Sequence, residues 1–302
     1  MIYEKYMKLK FARVARQVRN TPPIRYRKSR DVSILSMVSS DTVDMYLLAI
    51  KSFMRQFGYG SIEVVNDGTL TKSDINILAE HVPEINISNA DNINTHNCPS
   101  YVSWKRLFKA QELAKFSYVI QLDSDTLSLG PLVDVHNHVQ NNTGFLTGSK
   151  RWNGAVDVEF LDGIVSQWNS NHVQARAEKN FKHLRFFEDG TKYLRGCAGF
   201  AGYPKNFADV NTIVELSESI QKYVGEDWFK WGSEQTTTMC LISKCDGSKI
   251  LPWPYYQNFG MPSSNEKIAS MNLVHFIGTN RFKDSSYLRL SKQVIKILQG
   301  SD

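Results

Sequence analysis

YVIQLDSDTLSLGPL, residues 118–132, carries the reading of this chain. Its apolar run, Tyr118-Val119-Ile120, passes through Gln121 and Leu122 and ends on two aspartates one serine apart, Asp123 and Asp125. Such a run, bounded by turn formers, predicts a buried strand with both carboxylates at its mouth. Asp-Ser-Asp also builds ordinary Asx turns. The strand before it, and Thr126-Leu127-Ser128-Leu129 after it, favour a second use. Two carboxylates so spaced can hold a hard divalent cation, Mg²⁺ or Mn²⁺, with phosphate oxygens of a ligand completing the shell.

The elements around this strand predict an α/β fold. Residues 32–38 read as a first strand, 61–68 as a second and 85–87 as a third, with helices at 42–57, 72–81 and 103–115 between and after them. Strands alternating with helices at short spacing form a mostly parallel sheet, and ligands bind beyond the carboxyl ends of its strands. No GxGxxG opens a helix and no GxxxxGK[ST] occurs, so neither the dinucleotide fingerprint nor the phosphate loop accounts for the site. Further on, helices are expected at 158–168, 206–223, 233–243 and 285–298, and strands at 197–204 and 273–278. The polar, basic stretch 169–192 reads as a mobile lid or acceptor loop. Ser233 is expected to cap the 233–243 helix.

The 302 residues, 42% hydrophobic and 22% charged, suit one soluble globular domain. No apolar run is long enough to span a membrane, and no charged-then-apolar leader opens the chain. Four scattered cysteines without a CxxC suit a reducing cytoplasm. Net charge is +6, but residues 1–30 hold ten Lys and Arg against the single acid Glu4. The rest has 26 basic and 29 acidic side chains. A basic head of 1–30 on a near-neutral domain of 31–302 argues against nucleic acid, since no aromatic-rich binding module follows. Ile2, Tyr3, Tyr6, Met7, Phe11, Val14 and Val18 interleave with these cations at helical spacing. Residues 1–28 therefore suit either a surface helix on an anionic membrane or a solvated arm.

FSYVIQLDSDTLSL, residues 116–129, resembles the DxD region of GT-A-fold glycosyltransferases. The order of the later motifs is similar to glycosyltransferase family eight, which includes glycogenins and bacterial galactosyl- and glucosyltransferases. The resemblance spans residues 31–285 through five short segments. It implies a GT-A fold, with a Rossmann-like, mostly parallel central sheet flanked by helices. SMVSSDTVDMYLLAIKSF (36–53) is similar to the family's opening strand, nucleotide-contacting loop and first helix, which implies that Val38, Ser39 and Ser40 approach base and ribose. Asp67, in VVNDG, stands where a residue often contacts the base. Lys105, in SWKRLF, matches a lysine upstream of the DxD strand. Asp123 and Asp125 would bind the metal, with Ser124 among the donor contacts.

Gly199, in RGCAGFAGYP, resembles the glycine that lets the sugar approach the backbone, and Cys197 stands where the family frequently has Asn. WGSEQTTTMCL (231–241) resembles an Asp-Gln-Asp segment beside the reacting sugar; Glu234 and Gln235 match its first two positions and Thr236 replaces the third. HFIGTNR (275–281) resembles His-Phe-x-Gly-x-x-Lys. By that match His275 is the third metal ligand, Gly278 packs on the diphosphate, and Arg281 replaces a lysine that binds it. Arg and Lys are not equivalent there.

The resemblance thus implies a Mn²⁺- or Mg²⁺-dependent hexosyltransferase. It would take a nucleotide diphosphate sugar, UDP-linked, to a glycan or lipid-linked acceptor, retaining the anomeric configuration. A rival within the same fold is an inverting enzyme with Glu234 as general base. A nucleotidyltransferase would want a Gly-rich, lysine-bearing loop after the first strand, which SMVSSDTVD is not. A non-catalytic sugar- or membrane-binding protein is the remaining reading, against which Asp123, Asp125 and His275 stand intact.

Overall fold

A computed structural model describes residues 2–260, 270–278 and 280–300. The chain runs α1 (Ile2–Ala15), β1 (Val32–Val38), α2 (Val43–Phe57), β2 (Ser61–Asn66), α3 (Lys72–His81), β3 (Asn86–Asn89), α4 (Val102–Ala114) and β4 (Tyr118–Leu122). Next come β5 (Thr126–Ser128), α5 (Val133–Gln140), β6 (Phe145–Thr147), β7 (Ala155–Val156), α6 (Val158–Val165), α7 (Val173–Glu178) and β8 (Tyr193–Leu194). β9 (Cys197–Tyr203), α8 (Val210–Val224), α9 (Ser233–Ser243), β10 (Lys249–Ile250), β11 (Tyr256–Asn258), β12 (Leu273–His275) and α10 (Ser286–Leu298) follow.

Seven strands form the central sheet in the order β10-β6-β9-β4-β1-β2-β3. β3, β2, β1 and β4 are mutually parallel, and β9 runs antiparallel to both β4 and β6. Every residue of β4 is buried, as a strand covered by helices on both faces requires. Its one polar member, Gln121, is satisfied inside the protein: Nε2 donates to the Ala198 carbonyl, and Oε1 accepts the Tyr203 hydroxyl at 2.8 Å. The chain enters the sheet at β1, winds to β3, then crosses back to β4 on the other side of β1. The crevice between the carboxyl ends of β1 and β4 is the point where strand order reverses, the usual ligand position in such sheets.

A second sheet, β11-β12-β5, was not legible in the sequence. β5 begins immediately after Asp125, so the two aspartates occupy the hinge where the chain leaves one sheet for the other. β12 pairs antiparallel with β5, setting His275 opposite Thr126, and parallel with β11, setting Asn258 beside His275.

Two expectations are corrected. Residues 169–192, expected as a mobile lid or acceptor loop, are packed on the domain: Val173, Ala177, Phe181, Leu184 and Phe187 are buried in one apolar cluster with α8 and α9 residues, which argues against a lid. The first 30 residues are not an appendage either. Met7, Phe11, Val14 and Val18, expected on either a membrane-facing helix or a solvated arm, are buried in the main core. Phe11 stacks on Tyr287 of α10 at 4.2 Å between ring centroids. The fully buried Lys51 of α2 anchors the following segment, its Nζ lying 2.8 Å from Thr21 Oγ1 and 2.7 Å from the Pro22 carbonyl. The amphipathic stripe had an internal partner, supplied by the other end of the chain.

Candidate active site

The carboxyl end of β4 opens into a cavity of about 750 Å³. Asp123, Asp125 and His275 meet at its floor, one ligand atom from each lying within 4.8 Å of the others. The two-sheet junction produces this meeting. Asp123 N–H donates to the Gly199 carbonyl of β9 at 2.8 Å, and Phe276 N–H donates to the Asp125 carbonyl at 2.8 Å. His275 Nε2 lies 3.1 Å from Asp125 Oδ1 and 3.8 Å from Asp123 Oδ2. Its Nδ1 lies 2.9 Å from Asn258 Oδ1. That contact fixes the ring so that Nε2 faces the carboxylates.

Each aspartate is divided between two roles. Asp123 gives one oxygen to Arg106 and turns the other toward His275. Asp125 gives Oδ2 to Arg281 and turns Oδ1 toward His275. Burial alone would raise the Asp125 carboxyl, but His275 and Arg281 hold it at about 2. Burial would lower His275; the Asp125 carboxylate and the Cys197 sulfur beside it instead hold it well above its ordinary value. Two inward carboxylate oxygens and one imidazole nitrogen form a mixed O/N donor set that fits a divalent cation such as Mn²⁺ or Mg²⁺.

Gly199 lies directly against that imidazole. A Cβ added there would sit 2.1 Å from His275 Cε1, so the glycine admits the histidine ring, whatever else it admits. Gly278 has open space around its absent side chain and lines the cavity, as does Ser124.

α9 supplies another part of the cavity lining. Gly232 caps it in the left-handed conformation, φ +105°. Ser233, expected as the cap, is instead the first helical residue, and its Oγ accepts the Trp104 indole N–H at 2.9 Å. Glu234 is buried and lies 3.8 Å from Arg106. Burial raises its carboxyl to about 7, with Arg106 opposing and Asp123 adding to the shift. Gln235 Nε2 donates to Gln174 Oε1 at 3.3 Å, and its Oε1 accepts the Cys197 thiol at 3.5 Å. Both residues line the cavity.

The rest of the sequence-based set is divided. Arg281 lines the cavity, its Nε donating to the Phe276 carbonyl at 3.2 Å. Lys105 does not line it; its ammonium faces Asp91 at 3.6 Å. The cation lining the cavity is Arg106, one residue later, buried between Asp123 and Glu234. From β1 the side chain reaching the cavity is Met37, while Val38 is wholly buried in the core. Ser39 and Ser40 turn to Thr42 and Asp74, and Asp67 accepts from Thr69. None of these four lines the cavity.

Residues that the motifs did not point to include Asn258, Gln174 and Arg195. Arg195 is held by the buried Glu178 at 2.9 Å and lies 5.0 Å from each of the Trp152 and Trp168 rings.

Among solved structures, the chain is similar to the galactosyltransferase LgtC determined with donor and acceptor sugar analogs. That match has a TM-score of 0.50 at 13% identity and covers 89% of this chain and 95% of that one. The fold is the GT-A glycosyltransferase fold. WbbM, a bifunctional glycosyltransferase, matches with a TM-score of 0.49 and 15% identity, over 90% of this chain and 52% of that one. The mannosyltransferase Ktr4p from S. cerevisiae matches with a TM-score of 0.45 and 11% identity, over 97% and 91%. At such identities the likeness is one of fold. No protein-family model and no curated protein sequence matches the chain.

Proposed function

We propose that this chain is a metal-dependent glycosyltransferase of the family-eight type. In this reading it moves a hexose from a UDP-linked donor to a glycan or lipid-linked acceptor with retention, at the cytoplasmic side of a membrane. The observation that carries it is the convergence of Asp123, Asp125 and His275 in a cavity that Glu234 and Gln235 also line.

Asp123, Asp125 and His275 would hold the divalent ion, which when bound offsets charge on the diphosphate leaving group. Arg281, anchored by Nε to a backbone carbonyl, keeps a cation at the same place for the phosphates. Gln174 accepts from the Gln235 amide nitrogen and so fixes which way the amide points. Gln235 Oε1 is then the oxygen available to developing positive charge at the anomeric carbon. Arg106 orients Glu234 and Asp123 together, and the acceptor proton leaves with the departing phosphate.

A second reading has its own observation. A carboxyl held near 7 is suited to take a proton at neutral pH, so Glu234 as general base would give inversion. The first test incubates the protein with Mn²⁺ and a panel of nucleotide sugars and measures released nucleoside diphosphate. Slow hydrolysis of one donor, abolished by EDTA and by Asp125→Ala, is expected. Hydrolysis of none, or activity indifferent to EDTA, defeats the assignment. The proton coupling constant at the new linkage, made from an α-linked donor, then separates the readings: a β-linked product moves the catalytic role to Glu234.

A further inference from the structure

The ends of the chain, far apart in sequence, are packed together as the outer layer over α2. Buried Met7, Phe11 and Val14 define the inward face of α1, continued by Val18 in the turn after it, and buried Tyr287, Leu290, Ser291, Val294 and Ile295 define that of α10. With both inward faces spent on the same core, both outward faces point away from it. On α1 the exposed face carries Lys5, Lys8, Lys10 and Arg13 around Tyr6 and Leu9, with Arg16 exposed just after it. On α10 it carries Arg289, Lys292 and Lys296. Glu4 is the one acid in α1, and α10 contains none. Leu9 is 66% exposed, Tyr3 54% and Tyr6 50%, with Lys10 lying over the Tyr6 ring at 4.5 Å.

We infer that the outward faces of α1 and α10 form one docking surface for an anionic membrane. Charge complementarity selects the partner: the two helices concentrate cations on a chain whose body is near neutral, and anionic headgroups attract such clusters. The exposed apolar groups separate a membrane from other polyanions. Leu9 offers nothing to phosphates, whereas the boundary between headgroups and acyl chains accommodates both a leucine and the amphipathic tyrosine rings. Among the described residues no helix is long and apolar enough to cross a bilayer, so the contact is peripheral. The surface is joined to the cavity: β12, which carries His275, leads through Phe276 and Arg281 into α10, and Phe276 stacks on Tyr287 at 4.1 Å. This inference stands apart from the proposed chemistry, because vesicle binding is read without turnover.

The experiment is co-sedimentation of the full chain with vesicles of phosphatidylcholine alone, or with about a third phosphatidylserine. Wild-type protein is expected on the anionic vesicles only, with binding that falls as salt rises. Arg289→Gln with Lys292→Gln and Lys296→Gln should lower partitioning roughly 100-fold, each cation near the surface being worth about a factor of five. Lys5→Gln with Lys8→Gln and Arg13→Gln should do the same. Tyr6→Ser with Leu9→Ser should weaken binding that persists at high salt. A control that neutralises exposed Lys72, Lys115 and Lys222 should bind as wild type. All substitutions are at exposed positions, so an unchanged melting temperature is required of each. Undiminished binding by the α10 variant, equal loss in the control, or binding to a soluble polyanion such as heparin but not to vesicles would each overturn the inference.

Discussion

Asn258 Oδ1 lies 2.9 Å from His275 Nδ1, and the strands that carry them are hydrogen-bonded in a register that sets the two residues side by side. One nitrogen of the imidazole is thereby committed, and the other is turned on Asp123 and Asp125. Asn258 is a positioning residue: it touches neither carboxylate and acts through the ring.

Asn258→Ala is expected to weaken Mn²⁺ binding by roughly 10- to 100-fold, the usual effect of removing a partner that orients a metal-ligating histidine. Electron paramagnetic resonance of free Mn²⁺ in a titration with the nucleotide-free protein reads this directly. Mn²⁺ affinity equal to that of wild type would show that the ring is held by packing alone.

Gly199→Ala is a steric counterpart. The new Cβ would overlap the imidazole at Cε1 and at both nitrogens, so either the ring or strand β9 must move. Overpacking of this kind costs ~1–3 kcal/mol, measurable by urea unfolding in EDTA, and metal affinity should fall along with stability. Unchanged Mn²⁺ binding would mean that the ring is displaced without leaving the ligand geometry.

Asp123, Asp125 and the 233–243 helix were legible because each signal is local: an apolar run ending in DxD, and a helical start behind a glycine. Arg106 was not. Trp104, Leu107, Phe108 and Gln111 mark the face of α4 that any periodicity analysis finds, and Arg106 lies on another stripe with Ser103 and Ala110, at i, i+3 and i+7. That stripe is buried because α4 packs against α9 as well as against β1 and β4, long-range contacts without a local signature. Asn258 was hidden differently. An asparagine within WPYYQNF reads as part of an aromatic anchor until the second sheet places it beside His275. The α1 stripe was read correctly as amphipathic, but periodicity does not say whether the apolar side meets lipid or protein.

That last point has its own measurement. Phe11 is buried between Tyr287 and Phe282, with ring centroids 4.2 and 5.3 Å away. Phe11→Ala should therefore cost ~3–5 kcal/mol in chemical denaturation, as for a core aromatic. A free N-terminal arm would register less than about 0.5 kcal/mol, and that result would detach α1 from the domain.

Glu234 gives a pH signature. Its carboxyl is raised on folding from 4.5 to about 7, with burial the largest cause. The native state therefore keeps this proton over an interval in which the unfolded chain has lost its own. Stability contributed by the group falls as pH rises from about 4.5 to about 7, and the loss persists above. Glu234→Gln removes the titration. In EDTA, the wild type should lose on the order of 3 kcal/mol relative to that variant across this window. Parallel stability curves for the two proteins would place the Glu234 carboxyl in an ordinary, solvated state.

The sharpest test of how the site is assembled lies in Arg106, which serves a candidate ion ligand and a candidate catalytic carboxylate at once. It is buried beside Asp123 and 3.8 Å from Glu234. Removing one partner of such a buried group leaves the opposite charges uncompensated, so Arg106→Gln is expected to cost ~3–5 kcal/mol in metal-free protein. If the penalty arises from two carboxylates left facing each other, neutralising one of them should return part of it. Glu234→Gln in the Arg106→Gln background should then be less destabilising than the sum of the single changes, by about 1 kcal/mol or more. Arg106→Lys should retain the charge but lose the fork that spans both acids, and so fall between wild type and Arg106→Gln. Strict additivity in the double-mutant cycle would mean that Glu234 does not sense Arg106. Arg106 would then not be what opposes the rise of the Glu234 carboxyl.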